Sequence, residues 1–330
     1  MPPIVTLTLN PCVDVSYDID RLIEDQKVHA NANRFDPGGN GINVARALKR
    51  LQRPAHACAV LGGEIGALFT RLAAPQVEQL HDVRIDGETR INVTLQQQQP
   101  RAQFEVSGIG PTLNGSALQQ VTDMVLRLAG NGYAVLTGSR MPGVPTDYYA
   151  EMVNALRRQG ARTVIDAQGE MLAQAVAARP FVIKPNRAEL EQLIQRRLDN
   201  PRAVVEAAQA VCDQGVEWVC VSLGADGAVL VSEEQAVLGV APHVKVASTV
   251  GAGDSMVGAL VHAFSRGDTP EDALRLALAC GSGTAAQPGT ELFDPRALPD
   301  LLSRTQVSNW QDESPRRPAR ARRCNRCREV

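Results

Sequence analysis

Ser248-Thr249-Val250-Gly251-Ala252-Gly253-Asp254-Ser255 is the most informative stretch of the chain. It follows strand-like runs at residues 216–223 and 228–231, and apolar residues at helical spacing continue from 256 to 264. A helix should therefore begin at the glycines, where its first backbone N–H groups lack an acceptor and attract anions. Asp254 adds a carboxylate that can take the proton of an attacking hydroxyl. The stretch predicts phosphoryl transfer; a tight turn with a capped helix is the alternative.

The composition is that of an ordinary globular chain. Its 330 residues carry a formal net charge of −2 and a pI of about 6.2, so a nucleic-acid partner is not expected. No run of about 18 apolar residues predicts a membrane span, and the N-terminus lacks the basic start of a signal peptide. Most cysteines lie in apolar runs, which is typical of buried, reduced thiols. We therefore expect a cytoplasmic protein with no membrane partner.

A second glycine-rich turn lies in Asp36-Pro37-Gly38-Gly39-Asn40-Gly41-Ile42-Asn43. It leads into apolar residues at helical spacing, and its glycines would let a sugar or a phosphate lie against the backbone. Asn43 would project from the first turn of the helix, and a mobile loop is the alternative. A Walker sequence and a dinucleotide fingerprint are both missing, which argues against a P-loop NTPase and an NAD-dependent oxidoreductase.

The two stretches together resemble a known family. Thr-Val-Gly-Ala-Gly-Asp-Ser at 249–255 and Pro-Gly-Gly-x-Gly-Ile-Asn-Val-Ala at 37–45 resemble the two signatures of the PfkB (ribokinase-like) carbohydrate kinases. Thr-Leu-Asn-Pro-x-x-Asp at 8–14 and Arg-Ile-Asn-Val at 90–93 resemble the branch that phosphorylates sugar phosphates. The resemblance runs from residue 4 to about 300 and implies a kinase that uses ATP and Mg²⁺.

The expected fold is α/β. Alternating strand-like and helix-like segments over about 200 residues, among them helices at Tyr148–Arg158 and Gly169–Ala177, predict a parallel sheet covered on both faces. The resemblance implies a ribokinase-like three-layer sandwich with a mostly parallel central sheet and a small β lid. We expect the kinase domain at 1–303, with the lid at about 15–35 and 88–108. A basic, disordered tail is expected at 304–330.

The resemblance also assigns site residues. Asp254 would be the general base, and the amides of Gly251, Ala252 and Gly253 would hold the transferring phosphoryl group. The residues implied to bind the sugar phosphate are Asp14, Gly38, Gly39, Asn43, Arg90, Asn92 and Ser139. Those implied to bind ATP are Lys184, Asn186, Ser222, Gly224, Gly227, Ser248, Thr249, Gly281, Thr284 and Gln287.

Metal ions are expected on the nucleotide side of the site. Asn186 and Glu189 share one helical face, three residues apart, and their oxygens suit Mg²⁺ held through water. A capping box formed by the same pair is the alternative and is compatible with it. Thr284 and Gln287 would face the nucleotide or a monovalent cation, although Glu291 departs from the residue type common in relatives.

The acceptor implied by the resemblance is fructose 6-phosphate, giving fructose 1,6-bisphosphate. Relatives that act on fructose 1-phosphate or tagatose 6-phosphate usually carry lysine where this chain has Asn40. Against this, Asn10-Pro11 and residues 90–93 look more like the fructose-1-phosphate enzymes, so both alternatives stay open. A homodimer through the lid and an inhibitory ATP site near Lys27 are further implications. A non-catalytic sugar-phosphate sensor is the alternative from another class.

Overall fold

The fold consists of a large mixed sheet, covered by helices on both faces, and a small second sheet. The structure is a computed structural model that describes residues 1–310. The strands of the large sheet are β1 Ile4–Thr8, β4 His56–Gly62, β5 Gln79–Ile85, β8 Tyr133–Thr137, β9 Arg162–Asp166, β10 Val182–Ile183, β11 Trp218–Ser222, β12 Ala228–Val231, β13 Ala236–Val240 and β14 Gln306–Asn309. The strands of the small sheet are β2 Cys12–Ile19, β3 Ala32–Gly38, β6 Arg90–Gln97 and β7 Ala102–Val106.

The large sheet is mostly parallel, as the sequence predicts. Its strand order is β14-β13-β12-β11-β10-β9-β8-β1-β4-β5. Pairing is parallel from β5 through β11 and antiparallel from β11 to β14. The carboxyl ends of the parallel strands share one edge, which is where open α/β sheets bind their ligands.

Helices cover both faces and bury the core between the layers. They are α1 Asn40–Arg50, α2 Gly63–Ala73, α3 Gly115–Ala129, α4 Tyr148–Arg158, α5 Gly169–Ala177, α6 Arg187–Ile194, α7 Pro201–Cys212, α8 Ala252–Arg266, α9 Pro270–Ala285 and α10 Leu298–Arg304. Side chains of β1 alternate between the two faces: Val5 and Leu7 pack with α3 and α4, whereas Ile4 packs with α1 and α8. The predicted bounds of α4 and α5 are confirmed.

The small sheet has the strand order β3-β2-β6-β7. Strand β2 runs antiparallel to β3 and parallel to β6, and its register places Asp14 between Asp36 and Asn92. Strand β3 ends at Gly38, one residue before the N-cap of α1. The small sheet, hereafter the lid, is therefore joined directly to the glycine-rich turn and begins at Cys12, earlier than the predicted residue 15.

The large sheet extends past residue 303, the predicted end of the kinase domain. The chain continues into β14, which pairs with β13, and the Trp310 amide donates to the Ala236 carbonyl at 2.8 Å. This short edge strand, Gln-Val-Ser-Asn, is held by backbone hydrogen bonds and by half-buried Val307. Because it has only one apolar residue, the sequence shows no strand pattern there. The rest of the predicted tail, 311–330, lies outside the described residues.

Two further findings concern residues 1–310. Their helices are all too short or too polar to cross a membrane. The five cysteines in this part of the chain are buried and free of disulfides.

Candidate active site

The site is built around the first turn of α8. Gly251 is the N-cap and has φ of 78°, a left-handed conformation that glycine adopts without strain. The turn is followed by Asp254, whose side chain is almost fully buried at 5% exposure. The first amides of a helix have no acceptor inside it; here the Ala252 backbone amide donates to the Thr249 carbonyl at 3.3 Å, and the other amides of this turn lie beside the buried carboxylate as donors.

The glycine-rich turn at the start of α1 meets this carboxylate. Asn40 Nδ2 donates to Asp254 Oδ1 at 3.0 Å, and Asn43 Nδ2 donates to Asp254 Oδ2 at 2.9 Å. The structure thus brings the two most informative stretches of the sequence into direct contact. Each carboxylate oxygen keeps further lone pairs that can accept a hydroxyl proton.

The surroundings of Asp254 raise its pKa to about 7 from a normal 3.8. Burial is the main cause, and repulsion from Asp166 adds to it, while the bond from Asn43, the charge of Lys184 and the bond from Asn40 act in the opposite direction. A carboxylate with a pKa near neutrality is a stronger base than an exposed aspartate, and a large fraction of it is ionised at physiological pH.

A buried lysine lies beside the same helix end. Lys184 Nζ is 3.3 Å from Asp166 Oδ1, and a methyl group on Gly253 would lie 3.3 Å from the same nitrogen. Burial disfavours the ammonium charge, but attraction by Asp166 and other acidic groups raises the pKa of Lys184, so the charge is kept. Asp166 was not assigned a role from the sequence; its position at the carboxyl end of β9 was the available signal.

The sugar side of the site is formed by the lid. Asn92 Nδ2 donates to Asp14 Oδ1 at 2.9 Å, and the Cys12 thiol donates to the same oxygen at 3.2 Å. Burial and the nearby charge of Asp36 raise the pKa of Asp14, while these hydrogen bonds and Arg90 lower it. A methyl group on Gly38 would lie 2.2 Å from Asp14 Oδ2, so only glycine leaves this carboxylate in place.

The guanidinium of Arg90 lies near Asp14. Arg90 Nη2 donates to the Asn10 carbonyl at 3.1 Å and to Ser139 Oγ at 3.5 Å, and Nη1 reaches the Gly108 carbonyl at 3.4 Å. These carbonyls hold the guanidinium in one orientation at the open edge of the sheet. A planar guanidinium beside a serine hydroxyl suits a phosphate group, because it can bind two oxygens at once. Gly39, predicted to bind substrate, has φ of 118° and packs on Thr8.

The predicted nucleotide residues lie along the ends of β10 and β11. Asn186 forms an isolated parallel bridge with Ser222, and Gly224, with φ of 63°, has open space around the position of a side chain. The Ser248 hydroxyl accepts from the Val250 amide at 3.3 Å, just before the N-cap of α8, with Thr249 between them. An ATP contact by these residues stays a prediction.

Three of the predicted ATP residues have packing positions. A methyl group on Gly227 would lie 2.0 Å from the Gly239 carbonyl, and one on Gly281 would lie 2.8 Å from Met256. Thr284 is fully buried, where its hydroxyl bonds Ser255 and the Phe293 amide. Gln287, at the end of α9, is partly exposed. An ATP contact by any of the four stays a prediction.

Asn186 and Glu189 form a capping box. Asn186 Oδ1 accepts from the Glu189 amide at 2.9 Å, and Glu189 Oε2 accepts from the Asn186 amide at 2.8 Å. Within residues 1–310, no group of three acidic, histidine or cysteine side chains is arranged to hold a metal directly. The pair still offers one free carboxylate oxygen, and this fits an Mg²⁺ ion that keeps most of its waters.

An ionic cluster links the lid to the body of the protein. Arg34 of β3 contacts Asp36 at 2.7 Å and Glu291 at 3.0 Å, and Arg50 of α1 also pairs with Glu291. The pairs that Glu291 makes could not be predicted from the sequence, because Glu291 lies more than two hundred residues beyond Arg34 and Arg50 along the chain. Glu291 therefore serves ion pairing with lid and helix, which explains its departure from the expected residue type.

Comparison with known proteins agrees with this architecture. A family model described as pfkB family carbohydrate kinase matches residues 3–297. ATP-dependent 6-phosphofructokinase isozyme 2 of Escherichia coli K12 is 35% identical over 294 residues, covering 88% of this chain and 95% of that protein. The 1-phosphofructokinase of Rhodobacter capsulatus is 36% identical over 302 residues, covering 90% and 95%.

Solved structures support the same assignment. Escherichia coli phosphofructokinase-2 in complex with potassium superposes with a TM-score of 0.88 at 34% identity, covering 92% of this chain and 99% of that one. The expected ribokinase-like α/β architecture is thereby confirmed.

Proposed function

The chain belongs to the pfkB family of carbohydrate kinases, and we propose that it transfers the γ-phosphate of ATP to a hydroxyl group of a sugar phosphate. The observation that carries the proposal is the contact of buried Asp254 with Asn40 and Asn43 at the N-terminus of α8. We assign the base to Asp254, the anion hole to the first amides of α8, and the binding of the sugar phosphate to Arg90 and its neighbours on the lid.

Asp254 removes the proton from the attacking hydroxyl. Two asparagine amides hold the carboxylate, so a lone pair faces the acceptor without rotation of the side chain. Its raised pKa makes proton transfer more favourable as the new P–O bond forms.

The amides of Gly251, Ala252 and Gly253 receive the charge that develops on the transferring phosphoryl group. Lys184, held by Asp166 beside Gly253, adds a buried positive charge there. Mg²⁺, when bound near Asn186 and Glu189, would neutralise charge on the phosphate oxygens.

Fructose 6-phosphate is the acceptor we propose, with fructose 1,6-bisphosphate as product. Asn40 bonds the base directly and is uncharged, so the glycine-rich turn presents an amide rather than an ammonium group to the sugar. The similarity to Escherichia coli isozyme 2 supports the same acceptor. The alternatives are fructose 1-phosphate and tagatose 6-phosphate, and the similarity to a 1-phosphofructokinase is of the same degree.

We also propose that two copies associate through the lid in the cytoplasm. Several apolar side chains on the lid strands are exposed, namely Phe35, Ile91, Phe104 and Val106. A patch of this kind on a soluble protein is commonly covered by a partner.

One assay tests the proposal. The purified chain is supplied with ATP, Mg²⁺ and each of the three sugar phosphates, and ADP release gives kcat/KM. We expect fructose 6-phosphate to be the best acceptor, and faster turnover of fructose 1-phosphate would overturn that choice.

A variant pair tests the mechanism. Asp254→Asn should lose roughly 100- to 10,000-fold in kcat, the usual contribution of a general base, and still bind sugar phosphate in calorimetry. Asp272→Asn, an exposed aspartate in the first turn of α9, is the matched control and should keep its activity. If the wild-type chain binds sugar phosphate without releasing ADP, the non-catalytic sensor is the better account.

A further inference from the structure

Arg46 is the largest side chain that the fold buries completely. It lies on α1, three residues after Asn43, and is only 1% exposed. Burial lowers its pKa, and the acidic residue that attracts it most is Glu291, which is itself paired with Arg34 and Arg50. Burying a guanidinium is unfavourable unless specific bonds compensate the lost hydration. The bonds that Arg46 makes therefore indicate what it contributes.

Among the described residues, the hydrogen bonds of Arg46 all start from one nitrogen. Nη1 donates to Asn43 Oδ1 at 2.9 Å and to the Thr290 carbonyl at 3.2 Å. The first bond reaches the asparagine that holds the base. The second ties α1 to the segment that follows α9.

The contact with Asn43 settles the orientation of its amide. A guanidinium has donors and no acceptors, so the atom facing Arg46 must be the carbonyl oxygen of Asn43. The NH₂ group of Asn43 then points the other way, to Asp254 Oδ2 at 2.9 Å. Without this bond, the side-chain amide of Asn43 could rotate. Its oxygen would then face the Asp254 carboxylate, and the hydrogen bond to Asp254 would be lost.

We propose that Arg46 is a positioning residue that fixes the Asn43 amide as a donor to Asp254; this rests on the proposed function of Asp254 as the base. Arg46 itself is only 1% exposed and is bonded to Asn43, so it would act on the base through Asn43. The groups that act on Asp254 are Asp166, Lys184 and the amides of Asn40 and Asn43. Of these, only Asn43 is bonded to Arg46.

Replacing Arg46 tests this positioning role. Arg46→Met removes the donor, so kcat should fall roughly tenfold to a hundredfold, the effect of losing a hydrogen bond to a charged group. The acid limb of the rate profile should move to higher pH by about half a unit or more, because Asp254 loses a bond that lowers its pKa. The KM for ATP should stay within about twofold of the wild-type value.

A double-mutant cycle separates positioning from a general structural effect. If Arg46 acts through Asn43, adding Arg46→Met to Asn43→Ala should cause no further loss of kcat. Additive losses, or an unchanged acid limb in Arg46→Met, would overturn the proposal. Arg50→Met is the matched control, since Arg50 lies on the same helix and bonds Glu291 and the 292–293 carbonyls. It should lose stability without moving the acid limb.

Two further measurements keep the test decisive. If Arg46→Met fails to fold, Arg46→Lys enters the same cycle, and its smaller loss should likewise vanish in Asn43→Ala. Titration of the ¹³C resonance of the Asp254 carboxyl, assigned with Asp254→Asn, follows its pKa without turnover. If the wild-type chain transfers phosphate but the pKa of Asp254 is the same in the Arg46 variant, the positioning role of Arg46 is refuted and the kinase proposal stands. If the wild-type chain transfers no phosphate, the kinase proposal is refuted. The titration of Asp254 would still show whether Arg46 positions Asn43.

Discussion

Replacing Asp254 by asparagine should stabilise the fold at pH 8 even though it removes the base. The pKa of Asp254 is raised from 3.8 to about 7, mainly by burial. The folded protein therefore binds this proton more tightly than the unfolded chain, and the stabilisation that results is complete below pH 3.8 and is lost as pH rises through 7. A shift of three units corresponds to about 4 kcal/mol, which is the cost of the ionised carboxylate at pH 8.

The neutral asparagine avoids this cost but weakens the local hydrogen bonding. Its NH₂ group would face one of the two amides that now donate to Asp254. Asn43 is held by Arg46, so Asn40 is the amide that can rotate to offer its oxygen. We allow roughly 1–3 kcal/mol for an imperfect hydrogen bond and for the weaker attraction of Lys184. The free energy of unfolding of Asp254→Asn at pH 8 should then exceed that of wild type by about 1–3 kcal/mol.

Urea unfolding of wild type, Asp254→Asn and the Asp272→Asn control, followed by the fluorescence of the two tryptophans, measures the effect. At pH 5.5 most of the wild-type Asp254 side chain is already protonated in the fold, so the advantage of the variant should shrink by about 2 kcal/mol. The reasoning is refuted if Asp254→Asn is less stable than wild type at pH 8. An advantage of the same size at both pH values would also refute it.

Two further substitutions test the pocket and the base separately. Gly38→Ala places a methyl group 2.2 Å from Asp14 Oδ2, so KM for the sugar phosphate should rise at least about tenfold. The control is Gly115→Ala, where the new methyl group meets open space, and it should match wild type in steady-state kinetics. Asp166→Asn removes a charge that raises the pKa of Asp254, so the acid limb of kcat/KM should move to lower pH; a limb that stays in place would contradict the assigned repulsion.

The part of the site that could be predicted from sequence is the part built from contiguous residues. Gly251 to Asp254 and Gly38 to Asn43 each combine glycines with the onset of an apolar helical pattern, and both patterns follow from local chemistry. The capping box of Asn186 and Glu189 is likewise a local arrangement, and the structure shows it.

The rest depends on contacts between distant segments. Lys184 meets Asp166, and Glu291 meets Arg34, only because parallel strands and the lid bring them together. Strands at the sheet edges were missed for a different reason. β5 at Gln79–Ile85 is half exposed and mostly polar, so it lacks the apolar run of a central strand.

The proposed base and two of the proposed sugar-phosphate contacts lie in different parts of the fold. Asp254 and Asn43 lie on two helices packed so closely that a methyl group on Gly258 of α8 would lie 3.0 Å from Ala47 of α1. The base therefore sits on a rigid helix pair within the body of the protein. Arg90 and Asp14 lie instead on the lid, and the ion pair of the lid with the body, Arg34 with Glu291, is partly exposed and therefore weak. Changes of acceptor specificity at Arg90 or Asp14 can thus leave the pKa of Asp254 unchanged, whereas a change at Asn40, which bonds the base, would alter both.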